Sequence, residues 1–431
     1  MWVRFSVFLL LLIIGSLSLT AQESDSTAQN PPRIWKIEFK GLEKTKTSFL
    51  QNVIALSEGD VLDSNRLEED VQMLIRLPSV AHAYYQVFRS HENYYRVYYH
   101  IQENFTLLPI FNIWTVGDQL WWMVGLSEHN LLGQNIQASA FYRNNTKHSY
   151  GLSLNAPFLM GAKWGMSLNY ADWVSDEPVY FGEVTAMYEY RNRSMEILGL
   201  YRWNFHNQVQ FGGSLFRERY TYLSGAEEIT DKPMLLTQNK WLTKLTYQYY
   251  KVKQHYQYLD GIVNNLNLQT VVTTSEQEPP FNIAWNDFIV YRRTGEKGNL
   301  AWRFRLGFST NNNSPFSAFV VDNQMNIRGV GDRIDRGSAV VTLNSEYRHT
   351  FWEKPWVAIQ GVGFVDYGSW RQPGGELDDF VEASNVYVHS GLGARFILKK
   401  VYNATLRIDY GFGLTPENNS QGWVLGLGQY F

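Results

Sequence analysis

Two carboxylates, Glu346 and Asp366, carry the clearest chemical signal in the chain. Glu346 shares a polar strand face with Asn344 and Arg348, and Asp366 stands in the run Phe364-Val365-Asp366-Tyr367-Gly368. Alternation along a strand turns both acids inward, and two neighbouring inward acids need a cation. A guanidinium can satisfy carboxylate oxygens two at a time. Arg348, Arg395 and Arg407 occupy inward positions, and Arg328 lies on a long polar segment rich in Asn and Gly, from about Asn311 to Gly337. Its Ile327-Arg328-Gly329 core suggests a segment that folds back and places a guanidinium. The alternative is inward charge solvated by water. Nothing marks a sugar cleft, so the pair does not read as a glycosidase couple.

Other chemistry is poorly represented. The nine His are scattered without metal-ligand spacing, there are no cysteines, and no Gly-x-Ser-x-Gly elbow appears. Ser127-Glu128-His129 resembles a triad in one dimension only, since strand neighbours point to opposite faces. Gly-rich phosphate loops and basic-aromatic surfaces are absent, and the net charge of −3 implies no polyanionic partner. The expectation is a protein that is not an enzyme and uses no metal, cofactor or nucleic acid.

The elements that must position these residues are strands. Before the polar segment, Leu300, Trp302, Phe304, Leu306 and Phe308 alternate with polar or small residues; after it, Val341, Leu343 and Tyr347 alternate with Thr342, Asn344 and Glu346. The clearest case is Tyr402 to Leu414, with Tyr402, Ala404, Leu406, Ile408, Tyr410, Phe412 and Leu414 on one face. Such segments recur from about Leu107 to Phe431. Composition agrees: 16% aromatic residues, 15 Trp and 27 Tyr, but a mean hydropathy of only −0.30. That fits a membrane β-barrel with aromatic girdles rather than helical spans. Residues 105–431 divide into about sixteen strands, the even number expected of a bacterial barrel. Strand eleven is expected at Gly298 to Thr310, strand twelve at Gly337 to Thr350, and the first near Gln119 to Glu128. Long connections at Leu223 to Gln238, Asn311 to Arg336 and Arg371 to Phe380 follow odd strands. The last strand, Trp423 to Phe431, should present Trp423, Leu425, Leu427 and Phe431 on one face, with Gly422, Gly426 and Gly428 opposite.

Upstream, residues 1–21 read as an export signal with Arg4 and an apolar core from Val7 to Ile14, and 22–32 as a disordered lead-in. Residues 33–104 read as an α+β domain. Ile34, Ile37 and Phe39 make a strand. Thr45 is expected to cap a helix bearing Phe49, Val53 and Ile54. Leu67, Val71, Leu74, Ile75 and Leu77 share a second helix that Pro78 stops, and strands follow at Val80 to Phe88 and Tyr94 to Glu103.

Strand-helix-helix-strand-strand, with Gly-Leu-x-Lys-Thr at Gly41 to Thr45 and Glu-Gly-Asp at Glu58 to Asp60, resembles a POTRA domain. Ile327-Arg328-Gly329-Val330 is similar to the Val-Arg-Gly-Tyr/Phe signature of the BamA-like outer-membrane assembly and translocation superfamily, with Val330 in the aromatic position. Glu128 to Gly133 resembles that family's Glu-x-Asn-Leu-Leu-Gly run, and Phe364 to Gly368 its Phe-x-Asp-x-Gly motif. The resemblance implies a sixteen-stranded antiparallel transmembrane barrel behind one POTRA domain, in the bacterial outer membrane with the POTRA domain in the periplasm. It implies Arg328 as the loop cation for Glu346 and Asp366, a C-terminal recognition signal ending on Phe431, no cofactor, and client polypeptides handled by strand addition. The expected partners are outer-membrane lipid, clients and a periplasmic protein reached through the POTRA domain, with the chain itself a monomer. The rival reading is a passive pore or surface structural barrel.

Overall fold

The small N-terminal domain is built on a buried apolar face shared by two helices and three strands. The computed structural model describes residues 31–116, 119–181, 184–273, 279–311, 319–321, 326–330, 335–415 and 419–431. The expected export signal, nearly all of the lead-in, and residues 325 and 331–333 of the polar segment lie outside these. Strands β1 (Arg33–Lys40), β2 (Val80–His91) and β3 (Tyr94–Glu103) form a sheet in the order β1-β3-β2, with β1 parallel and β2 antiparallel to β3. Helices α1 (Thr47–Val53) and α2 (Ser64–Ile75) cover one face, where Ile34, Leu50, Leu67, Leu74 and Val97 are fully or almost fully buried. Gly41 turns the chain out of β1 at φ +84°, and a Cβ there would meet the Ile101 carbonyl oxygen at 2.2 Å. Thr45 is not the cap of α1. Lys46 holds that position without a side-chain bond, while Asp63 caps α2 by accepting from the Asn65 and Arg66 backbone N–H groups.

From Leu107 onward the chain is a meander of sixteen antiparallel barrel strands. The wall begins with β4 (Leu107–Val116) and β5 (Gln119–Leu131). The first barrel strand is therefore Leu107–Val116, one strand earlier than Gln119 to Glu128. The Leu-Leu-Pro-Ile-Phe stretch lacks the alternation that marks the other strands, and Pro109 reads as a breaker. Proline is tolerated on an edge strand, and β4 has a neighbour on one side only. β6 to β13 follow between Ile136 and Thr294, the longest being β11 (Leu235–His255). Next comes β14 (Gly298–Ser309), barrel strand eleven. Within the long connection after it, β15 (Phe319–Val321) and β16 (Asp335–Gly337) form a separate ribbon. The wall closes with β17 (Ala339–Glu353), β18 (Val357–Arg371), β19 (Val386–Leu398), β20 (Thr405–Gly413) and β21 (Gln421–Leu427).

The longest connections, at 226–234, 310–338 and 372–385, all follow odd-numbered barrel strands, whereas connections after even strands are short, as at 256–257, 295–297 and 354–356. The N-terminal domain packs against the tight end, where Arg76 reaches Phe205 and His82 stacks on Tyr256. Outward positions carry Phe304, Leu306, Phe308, Leu343, Leu392, Leu406, Trp423, Leu425 and Leu427, all exposed, whereas inward positions carry buried Arg303, Asn344, Glu346, Asp366, Arg395 and Asp409. An apolar outer band over a polar interior is the inverse of a soluble sandwich. Among the described residues no helix is long and apolar enough to cross a membrane.

Two placements differ from the alternating pattern. Tyr402 lies in the turn before β20, where its ring is 4.7 Å from His129. The last strand stops at Leu427. Gly428, at φ +86°, turns the chain, so Tyr430 is buried and Phe431 lies over Arg303 and Arg348 instead of sharing the outer face with Trp423.

Candidate functional site: the locked lumen and the open seam

The lumen site is assembled by four neighbouring strands, β17 to β20, and one returning loop. Register pairs Asn344 of β17 with Asp366 of β18 and Glu346 with Phe364. Arg328 enters from the long connection and is fully buried. Its Nε donates to Asp366 Oδ2 at 2.8 Å and its Nη2 to Asp366 Oδ1 at 2.9 Å. Its Nη1 donates to Glu346 Oε2 at 2.7 Å, and its backbone N–H reaches Asp366 Oδ2 at 3.0 Å. The structure thus brings Arg328, Glu346 and Asp366 together, and a bidentate guanidinium–carboxylate pair of this kind is geometrically specific. Arg348 donates to Glu346 Oε1, and Arg395 sits 3.6 Å from Glu346 and donates to Asp409 Oδ1 at 2.6 Å. Arg407 lies 3.7 Å from Asp409. Arg328, Arg348 and Arg395 therefore all engage Glu346, with Arg328 central, while Arg407 reaches Asp409 instead.

Packing fixes the guanidinium from both sides: its carbon is 3.7 Å from the Phe364 ring centroid and 4.1 Å from that of Tyr430. Gly368 makes room for the loop, because a Cβ there would stand 2.3 Å from Ile327 Cδ1. Gly329 has φ +93° and lies back to back with Gly411, where a Cβ would come within 2.4 Å of the Arg328 carbonyl oxygen. Val330 is buried with Ile327, Val340, Trp370 and Tyr387. At position 330, where the resemblance expects an aromatic, the rings packed in the cluster are Trp370 and Tyr387 of the wall.

Chemically this is a lock. Both oxygens of Asp366 and both of Glu346 accept hydrogen bonds from Arg328, Arg348 or Asn344, so neither acid presents a free oxygen to a substrate. Among the described residues no cluster of His, Asp and Glu could hold a metal ion. Asp409, Asn344 and Tyr430 are partners that the motifs did not single out. Inward alternation marks the first two, but no local pattern marks Tyr430, which depends on the turn at Gly428.

The second functional region is the seam. β4 and β21 are the two ends of the sixteen-stranded order, and among the described residues they do not pair with each other. The described contact near it is at the POTRA end, where Phe105 N–H donates to Lys400 O at 2.9 Å and Tyr402 N–H to Phe105 O at 3.2 Å. Among the described residues β21 pairs with β20 alone.

The third is the junction between domains, held by the Glu128 to Gly133 run. Asn130 Nδ2 donates to Thr45 Oγ1 at 3.1 Å, and Lys46 N–H to Gly133 O at 2.9 Å. Ser79 and Asn135 exchange two hydrogen bonds of 2.9 Å each. Ser127 Oγ and His129 Nε2 are 2.9 Å apart, but Glu128 turns to Thr106 and the Asn130 backbone, so no relay forms. His82 of β2 stacks on Tyr256 at 5.2 Å and faces His255 at 5.8 Å. Burial, reinforced by the facing His255, pushes the His82 imidazole below the usual histidine range.

Residues 32–103 match the POTRA family, described as the surface antigen variable number repeat. The chain has the architecture of a BamA-like protein. It is similar to BamA from Haemophilus ducreyi lacking POTRA domains 1–3, at 14% identity over 92% of this chain and 84% of that one, with a TM-score of 0.53. CdiB from Acinetobacter baumannii matches at 14% identity over 93% and 74%, TM-score 0.57. CdiB from Escherichia coli matches at 12% identity over 91% and 75%, TM-score 0.60. No curated protein matches the chain. The BamA-like likeness thus covers both the POTRA domain and the barrel.

Proposed function

We propose that this protein is an outer-membrane factor that inserts or translocates client polypeptides by strand addition, without catalysis and without a cofactor. The observation that carries the reading is the seam: among the described residues β4 and β21 each have a neighbouring strand on one side and an open backbone edge on the other. An edge of this kind is a template for an incoming strand, because main-chain hydrogen bonds supply affinity whatever the client's side chains. The apolar outer band faces lipid, and the POTRA domain lies on the periplasmic side and receives clients or a periplasmic partner there. The working unit is one chain. The buried loop favours this reading over a passive pore, since Arg328 and its partners fill one side of the lumen.

The chain has no native cysteine, so a disulfide across the seam is a clean test. One cysteine placed in Leu107–Val116 and one in Gln421–Leu427 should stop assembly of other barrels when oxidised and restore it on reduction. Assembly that proceeds unchanged with the seam locked would discard strand addition there. Open-channel conductance without any effect of depletion on other barrels would favour the passive pore.

A further inference from the structure

At the POTRA end of the barrel, between the end of α2 and the tight connections, lies a cavity of about 540 Å³. Arg76 lines it from the residue that follows α2, and Arg202 from the last residue of the strand Val184–Arg202. Neutral groups hold both side chains. Arg76 Nη1 donates to Phe205 O at 3.0 Å, and its guanidinium carbon lies 4.0 Å from the Tyr250 ring centroid. Arg202 donates to Ala162 O at 2.9 Å and to Gln208 Oε1 at 3.0 Å. Among the described residues neither arginine forms an ion pair, and no Asp or Glu lines the cavity. Lys399 also lines it but is paired with Glu353.

This is the reverse of the lumen site, where Arg328, Arg348 and Arg395 each have a carboxylate. Two partly buried guanidiniums on one cavity repel each other, and taking them out of water without a counter-charge is unfavourable. An oxyanion between them would remove both costs. A separate feature points to a donor-bearing ligand: Gln429, on the cavity wall, has its Oε1 buried without a hydrogen-bond partner. The volume falls in the range of about 300–1,000 Å³ that holds drug-sized ligands, well above the need of a lone inorganic anion. A ligand that carries carboxylates, main-chain N–H groups and this bulk is an acidic peptide.

We propose that this cavity binds an acidic stretch of polypeptide, its carboxylates on Arg76 and Arg202 and a main-chain N–H on Gln429. The proposal rests on the client-handling reading only for the source of that stretch. The cavity adjoins the POTRA domain and the lumen end of the wall, so a segment held here stands at the threshold of the barrel.

The test uses the full-length protein in detergent and a fluorescent octapeptide of alternating aspartate and serine. Its lysine–serine counterpart and inorganic phosphate serve as comparison and competitor. The acidic peptide should bind, the basic one should not, and R76Q and R202Q should each weaken binding about tenfold. R76K and R202K should retain most of it. Binding by the wild-type protein should also weaken as salt rises, a readout that holds even where a variant fails to fold. Equal binding of both peptides, unchanged affinity in the glutamine variants, salt-independent binding, or displacement by phosphate at matched concentration would each overturn the site. A seam lock that leaves assembly intact would sink strand addition but not this cavity; loss of peptide binding would do the reverse.

Discussion

The two sides of the barrel wall are polar inside in different ways. From β14 to β20 the inner face is ionic, dry and covered by the returning loop: Asn344, Glu346, Arg348, Asp366, Arg395 and Asp409 are all 0–1% exposed. Across β10 (Asn207–Gly225), β11 and β12 (Tyr258–Thr273) the inner face carries an amide ladder, with the ion pairs of Lys240 with Glu218 and Lys244 with Glu196 farther along β11. Gln208 donates to Gln248 at 2.7 Å, Gln248 to Asn265 at 2.8 Å, and Thr246 to Asn267 at 3.1 Å. Those groups are partly open. An amide both donates and accepts, so it can relay along a wall and exchange any one partner for water. A buried carboxylate cannot, and needs its cation in place. The ionic wall is therefore built to hold one loop in one position, and the amide wall tolerates change.

The sharpest way to break this contrast is Arg328→Ala. It leaves Glu346 and Asp366 in a dry site without their shared cation, and breaking a buried pair costs about 3–5 kcal/mol. The barrel should still insert, while the loop detaches and becomes open to protease between Asn311 and Arg336. Denaturant titration beside limited proteolysis checks both; a loop that stays protected would mean the charge network is incidental.

A smaller effect tests the packing on one strand. Gly368→Ala would drive a methyl to 2.3 Å from Ile327, whereas Gly363→Ala meets only Leu392, at 3.9 Å. Overpacking of this kind costs about 1–3 kcal/mol, and a roomy site on the same strand should stay within about 0.5 kcal/mol. Equal effects from the two alanines would show that the loop does not bear on Gly368. On the amide wall, Gln248→Ala should cost about 0.5–1.5 kcal/mol, measured in the same titration. A loss as large as that of Arg328→Ala would erase the distinction between the walls.

How much of this was legible beforehand depends on whether the deciding contact is local. Strands eleven to thirteen alternate strictly, so the inward placement of Glu346 and Asp366 could be read from period two, and the Arg-Gly core marked the loop cation. β4 hid because an unbroken apolar run with a proline carries no period. Thr45 looked like a helix cap because cap chemistry is local, yet its hydroxyl serves Asn130, distant in sequence. The last strand runs four residues further in its pattern, to Phe431, than it does in space, where it ends at Leu427. Alternation continues to Phe431, but the backbone at Gly428 does not, and Tyr430 is spent on Arg328 instead.

The domain junction extends the comparison to pH. The lumen lock is built on arginine, which stays charged at any accessible pH. The junction instead has His82, stacked on Tyr256 and facing His255, with its folded-state pKa lowered by burial and then by that neighbour. A base with a depressed pKa in the docked state binds fewer protons there than when released. Docking is therefore fully present above the ordinary histidine pKa of about 6.5 and weakens as pH falls through the lowered value. Hydrogen exchange should show faster opening at the Ser79, Thr45 and Asn130 contacts at acidic pH, while the Arg328 loop keeps its protection. His82→Phe keeps an aromatic ring against Tyr256 and removes the titration, so it should flatten the dependence at the junction. A junction that loosens equally in that variant would place the acid sensitivity elsewhere, and a loop that loosens together with the junction would show that the two sites open as one unit.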